Sequence, residues 1–290
     1  MKILVPGILV FVFNIIVLTP GMGQIEEKPA YLHLLDIPYR SNDSIMANPY
    51  IRERCVLDLY YPKDADSFPT LVFFHGGGLT SGNKGLNLFF ENKGIAIVDV
   101  SYRLSPKVKV KNILDDAAAS IAWVFNQIES YGGDKSKIYI SGHSAGGYIT
   151  SMMGLDKSYL NAYQIDSDSL AGLIPLSGHV ITHFTAREEM GLGQTDVLVD
   201  NMAPLYHIRK QAPPYIMITG DRNLEILARY EENAYMMRMM KLIGHPDTQL
   251  YELQGYDHSM VYPAAPLILK TIEQLEAKKY PEVKTENHQD

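Results

Sequence analysis

A single cysteine, Cys55, stands among 290 residues, so no disulfide can form within the chain. Its chemistry is that of a small hydrophobe buried on an early strand, not of a catalytic thiol. Basic residues are also in short supply. Lys and Arg number 26 against 33 Asp and Glu, leaving a net charge of −7, and no basic stripe interrupts that balance. A nucleic-acid partner is therefore not expected. No H-E-x-x-H or C-x-x-C spacing occurs, so neither a metal site nor a cofactor is implied. No repeat with a period of about 20–50 residues is visible, which sets aside solenoids and propellers. What remains is ordinary for a globular enzyme: 46% hydrophobic and 20% charged residues, in a length that suits one α/β domain.

The N-terminus has a different character. Lys2 precedes a nearly unbroken apolar segment from Ile3 to Thr19, followed by Pro20-Gly21-Met22-Gly23. A charged start, an apolar stretch and small residues before Gln24 predict a signal peptide cut before that residue. Secretion or a periplasmic location follows as an expectation, with no stable membrane insertion after cleavage. An uncleaved anchor is the rival, disfavoured by Pro6, Gly7 and Asn14 within the segment.

Two motifs carry the chemistry. Gly142-His143-Ser144-Ala145-Gly146 has the G-x-S-x-G form of a strand-to-helix turn that exposes a serine hydroxyl above a sheet. Lys137 to Ser141 leads in as an apolar, β-branched strand, and Ala145 to Leu155 leads out as a helix of small and apolar residues. Upstream, the apolar run Leu71-Val72-Phe73-Phe74 ends in His75-Gly76-Gly77-Gly78. Glycines there let main-chain N–H groups approach a ligand unhindered. Gly76 and Gly77, joined by Ala145 just after the serine, are the expected oxyanion donors.

Strands are expected at Leu32–Asp36 and Cys55–Tyr61, paired antiparallel at a sheet edge, then around Phe73, at Ile95–Val100, at the elbow, at Leu170–Leu176, at Tyr215–Thr219 and at Leu250–Leu253. Between them come a helix capped by Asn112, the elbow helix, a long helix from Leu224 to Ile243 and a last one over Pro263–Ala277. In the long helix, Leu227, Ala228, Ala234, Met239 and Leu242 are expected to face inward. Alternating strands and helices predict an α/β fold: a mostly parallel twisted sheet with helices on both faces and catalytic groups at the strand C-termini.

On these motifs the chain resembles the α/β-hydrolase superfamily, in its HGGG-type carboxylesterase branch with hormone-sensitive-lipase-like esterases and kynurenine formamidases. Val56 to Pro62, Ser101-Tyr102-Arg103-Leu104 and Gly132-Gly133-Asp134 extend the resemblance from about Asn48 to Leu275. It looks similar to secreted bacterial esterases grouped with feruloyl and acetyl-xylan esterases. The resemblance implies an α/β-hydrolase domain over 24–278 after a signal peptide over 1–23, with a small lid insertion at about 177–210. A flexible tail would follow over 279–290. It also implies the chain order serine, acid, histidine, and places the base at His258, in the loop after the last strand. His179, His183 and His207 fall in the lid region, where exposed loop positions are their expected setting. Relatives carry the acid three residues after Gly220, where this chain has Asn223. Asp221 is assigned the role here; Glu225 or a degraded triad are the alternatives. The implied activity is cleavage of short-chain or sugar-linked esters through an acyl-enzyme, on a small-molecule or saccharide substrate. An arylformamidase-like amidase or exopeptidase would use the same groups, and an impaired hydrolase-fold binding protein would keep only the fold.

Overall fold

A computed structural model describes residues 30–85 and 88–279. The expected signal segment and residues 280–290 of the expected tail lie outside the described residues. Eight strands form one sheet in the order β1-β2-β4-β3-β5-β6-β7-β8. They are β1 (Tyr31–Pro38), β2 (Val56–Pro62), β3 (Phe68–Phe74), β4 (Ala96–Val100), β5 (Gly133–His143), β6 (Gly172–Leu176), β7 (Tyr215–Gly220) and β8 (Thr248–Leu253). β1 and β2 run antiparallel at one edge, and from β4 onward every pairing is parallel. The helices are α1 (Asn42–Ala47), α2 (Pro49–Arg54), α3 (Val110–Gln127), α4 (Ala145–Leu155), α5 (Lys157–Asn161), α6 (Phe184–Glu189), α7 (Arg229–Leu242) and α8 (Val261–Lys279). Among the described residues, no helix is long and apolar enough to cross a membrane.

Alternation along the central strands divides the core in two. Val72, Phe74, Val98, Ile138 and Ile140 face one side, packing with Ile113, Ile121, Ile149 and Met152 of α3 and α4. Leu71, Ile97, Tyr139 and Ile174 face the other, packing with Ile268 and Ile272 of α8. Because side chains of a strand point alternately to opposite faces, a strand covered on both faces is apolar along most of its length. That requirement is why these strands read as mainly apolar runs.

Two helix starts differ from expectation. α3 begins at Val110, and Asn112 does not cap it. Lys109 is the cap residue by backbone and makes no side-chain capping bond. The Val110 N–H instead donates to Glu189 Oε1 of α6 at 2.8 Å, so a distant segment satisfies the helix end. α7 begins at Arg229, five residues later than Leu224. Leu227 and Ala228 hold φ of 46° and 56°, left-handed values that no helix interior accommodates. Its buried face is Arg229, Asn233, Met236 and Met240, while Leu227 and Leu242 are exposed. The delayed start shifts the helical face, and it also frees Glu225 to turn toward the sheet.

Candidate active site

β3, β5, β6 and β7 all end at one rim of the sheet, and the turns and loops leaving those ends assemble the candidate site. After β5 the chain turns sharply at Ser144, with φ 54° and ψ −111°, before entering α4. The turn is possible because its flanks are bare. A Cβ on Gly146 would lie 2.0 Å from the Phe74 carbonyl oxygen, and one on Gly142 would lie 2.6 Å from the Gly146 backbone. The Ser144 N–H donates to Leu176 O at 2.8 Å, tying the turn to the end of β6. Strain at Ser144 is thus held by hydrogen bonding and by close packing of elbow on sheet.

His258 comes from the loop between β8 and α8. Its Nδ1–H donates to Glu225 Oε2 at 2.8 Å, and the Ser144 hydroxyl donates to its Nε2 at 2.9 Å. A ring nitrogen facing a carboxylate must carry the proton, which leaves Nε2 as the acceptor the serine needs. Glu225 has a nearly buried side chain and is itself fixed: its Oε1 accepts from the Gly220 N–H at 2.8 Å and from the Ser177 hydroxyl. Burial pushes the Glu225 carboxyl up, but the bonds from His258, Ser177 and Gly220 outweigh it and hold the group down to about 2. The carboxylate is therefore charged throughout the neutral range.

Asp221 does not reach His258, which corrects its placement. Its Oδ1 accepts from the Asn223 N–H at 2.9 Å and its Oδ2 from the Gly255 N–H at 2.9 Å. It closes the turn after β7 and clamps that turn to the loop carrying the histidine, an Asx-type role. Asn223 likewise faces Asp221, donating from its amide at 3.2 Å.

The glycine loop after β3 lies beside the serine: a Cβ on Gly76 would sit 3.5 Å from Ser144 Cβ. Gly77 has φ 113°, and a Cβ there would fall 2.2 Å from Ser81 O, so only glycine fits. The loop is braced from below. Tyr102 stacks on His75 with ring centres 4.2 Å apart and donates its hydroxyl to His75 O at 2.6 Å. Arg103, next along, is gripped by buried Asp116 at 2.7 and 2.8 Å. The Ser101-Tyr102-Arg103-Leu104 motif is explained by this bracing. His143 props the other side, donating from Nε2 to His258 O at 2.7 Å. Burial pushes both His75 and His143 down to about 4, so each serves as a neutral strut at pH 7.

The structure thus brings Ser144, His258, Gly76, Gly77 and Ala145 to one rim and leaves Asp221 outside. Sequence reasoning missed Ser177, whose only signal is its place at the end of a buried strand. It also missed the burial of His179 and His183, which are 1% and 0% exposed although expected on the surface.

A BD-FAE family model matches residues 57–230. A probable isoprenylcysteine alpha-carbonyl methylesterase of Arabidopsis thaliana is 27% identical over 76% of this chain and 53% of its own length. LipM, a probable carboxylic ester hydrolase of Mycobacterium tuberculosis, is 25% identical over 78% of this chain and 58% of its own length. The chain spans 31%, 53% and 24% of three of the curated relatives it matches. Among solved structures, an esterase of Thermogutta terrifontis superposes with a TM-score of 0.66 at 23% identity, covering 85% of this chain and 94% of that one. A carbohydrate esterase from gut microbiota gives 0.69 at 15% identity, covering 87% and 98%. The architecture is the α/β-hydrolase fold.

Proposed function

The chain belongs to the BD-FAE family, and from that premise we propose that it is a carboxylesterase with Ser144 as nucleophile, His258 as base and Glu225 as the acid that orients it. One observation carries the reading: an unbroken hydrogen-bond line from Glu225 through His258 to Ser144, at 2.8 and 2.9 Å. A serine hydroxyl is a weak nucleophile until an adjacent base takes its proton. Here the base is held in the right tautomer by a carboxylate that is itself held by Ser177 and Gly220.

In the first step His258 Nε2 takes the Ser144 proton as Oγ bonds to the ester carbonyl carbon. The carbonyl oxygen becomes an oxyanion, received by the N–H groups of Gly76, Gly77 and Ala145. Glu225 stabilises the imidazolium without taking its proton. Collapse breaks the carbon–oxygen bond to the alcohol, which leaves with the proton from His258. Water then repeats the sequence on the acyl-enzyme, releasing the acid and restoring Ser144. Asn223, the feature that favoured an impaired site, is engaged with Asp221 and not with His258. The names of the similar proteins, methylesterases and a carbohydrate esterase among them, support small or sugar-linked esters as substrates. Ser144→Ala should abolish hydrolysis of 4-nitrophenyl acetate and labelling by a fluorophosphonate; full activity in that variant would end the mechanism.

Secretion is proposed alongside, supported by Lys2, the apolar run Ile3–Thr19 and the small residues before Gln24. N-terminal sequencing of protein exported by a bacterial host checks it: a mature start at Gln24 agrees, and an intact Met1 does not.

A further inference from the structure

The start of α7 buries a charge that no hydrogen-bond acceptor among the described residues pairs. Arg229 is fully buried, and Nε, Nη1 and Nη2 of its guanidinium all have no hydrogen-bond partner. Two carboxylates, Glu225 and Glu232, are near enough for their charge to act on it, yet both are engaged elsewhere. Glu225 serves His258, Ser177 and Gly220. Glu232 accepts from His179 Nδ1–H at 3.0 Å and from the Val180 N–H at 3.0 Å. Beside it stands Arg187, 2% exposed, whose Nη atoms donate to the Asp196 and Gln194 carbonyls while Nε has no partner. His183 accepts from the Thr185 N–H on Nδ1 at 3.2 Å, so its unpartnered Nε2 carries a proton and is a further donor. Desolvating a guanidinium without an acceptor is among the costliest arrangements a fold can hold.

A cavity of about 370 Å³ lies against this cluster: Arg187, His179, Leu227, Ala228 and Glu232 are in its wall, while Arg229, next in chain to Ala228, and His183, its ring 5.0 Å from that of His179, sit behind that wall. Its wall is linked to the reaction site through chain and ring neighbours. Leu227 is two residues from Glu225. Phe184, its ring tilted against that of His183 with centres 4.4 Å apart, has its ring edge 3.0 Å from where a Gly78 Cβ would stand in the oxyanion loop. A planar guanidinium with free N–H groups matches a planar, two-oxygen acceptor, and the cavity size suits a small organic group.

We propose that Arg187 in the cavity wall, with the unpaired charge of Arg229 behind it, makes a subsite for a carboxylate carried by the substrate, so that the enzyme prefers esters of acidic compounds to their neutral isosteres. This rests on the esterase reading above and adds the substrate class to it. The carboxylate can sit on the acyl or on the alcohol side of the ester, and two pairs of substrates separate these. Monoethyl succinate against ethyl butyrate tests the acyl side. 4-Acetoxybenzoate against methyl 4-acetoxybenzoate tests the alcohol side.

Hydrolysis followed by pH-stat should show kcat/KM about ten- to a hundredfold higher for the charged member of one pair, the worth of a charge-assisted pair. Arg229→Met should collapse that ratio by about tenfold or more. Equal rates for charged and neutral members of both pairs, with the neutral esters still cleaved in a Ser144-dependent way, would overturn the subsite and leave the esterase standing. If no ester is cleaved, the esterase reading fails instead, and binding decides the subsite: calorimetry of succinate on Ser144→Ala either shows saturable uptake, which supports it, or none, which refutes it. Should Arg229→Met not fold, the wild-type ratios settle the matter alone.

Discussion

Replacing Glu225 by glutamine changes one atom and should nearly silence the enzyme. If the new side chain keeps its carbonyl toward His258, its NH₂ faces the Gly220 N–H, donor against donor, and the 2.8 Å bond there is lost. If it flips, the NH₂ faces His258 Nδ1. The ring proton must then move to Nε2, which would donate toward Ser144 instead of accepting from it. In both orientations the negative charge that steadies an imidazolium is gone. The corresponding Asp→Asn change in a serine protease lowers kcat about 10⁴-fold, and each tenfold is about 1.4 kcal/mol of barrier. We expect Glu225→Gln to lose about 10³- to 10⁴-fold in kcat on 4-nitrophenyl acetate, about 4–5 kcal/mol, with circular dichroism unchanged. Asp221→Asn, bonded only within its turn and to Gly255, should stay within about threefold. The reverse order of these two effects would refute the assignment. A stability readout accompanies it. The folded carboxyl titrates at about 2, below the ordinary glutamate range, so its stabilisation is complete above that range and is lost as pH falls toward 2. The gap in urea midpoint between wild type and Glu225→Gln should therefore close as pH drops from about 5 toward 2.

Two further outcomes concern groups away from the serine. Burial pushes the Asp99 carboxyl up to about 7, against a bond from the Gly85 N–H and with Asp58 adding to the rise. The folded state then holds a proton that the unfolded state has released, so wild-type stability falls as pH rises from the ordinary aspartate range toward 7; Asp99→Asn should gain on wild type between pH 5 and pH 8, by urea denaturation, and a constant difference would contradict this. Glu189→Ala removes the one acceptor that the first N–H of α3 has among the described residues and should cost about 1 kcal/mol in chemical denaturation, with no cost expected if Lys109 capped the helix itself.

The nucleophile and its loop were legible in the chain because each is a local backbone demand. Gly142 is required by its contact with Gly146 within one turn, and Gly77 by its own φ and by Ser81 just ahead of it; Gly146 answers instead to the Phe74 carbonyl of β3 and was legible only as part of the motif. The buried strands were legible for a similar reason, since covering both faces of a sheet leaves few positions for a polar side chain, Thr70, Asp99 and Ser141 being buried exceptions. The base was legible only through resemblance, because nothing within Gln254 to His258 says which loop it meets.

The acid and the helix starts were not legible. Asp221, Asn223 and Glu225 lie within five positions, and local rules suit all three to a turn. Selection among them depends on the Gly220 N–H, the Ser177 hydroxyl and the His258 ring, contributed by three separated segments. The same contacts draw Glu225 out of what would otherwise be helix, and the left-handed pair Leu227 and Ala228 completes the detour. By itself, then, the amino-acid order determined where the chain turns and which strands are covered, since these are set by neighbours in sequence and by burial. Which carboxylate faces the imidazole, what caps α3, and that Arg229 is enclosed without an acceptor were decided only when distant strands brought their ends to a common rim.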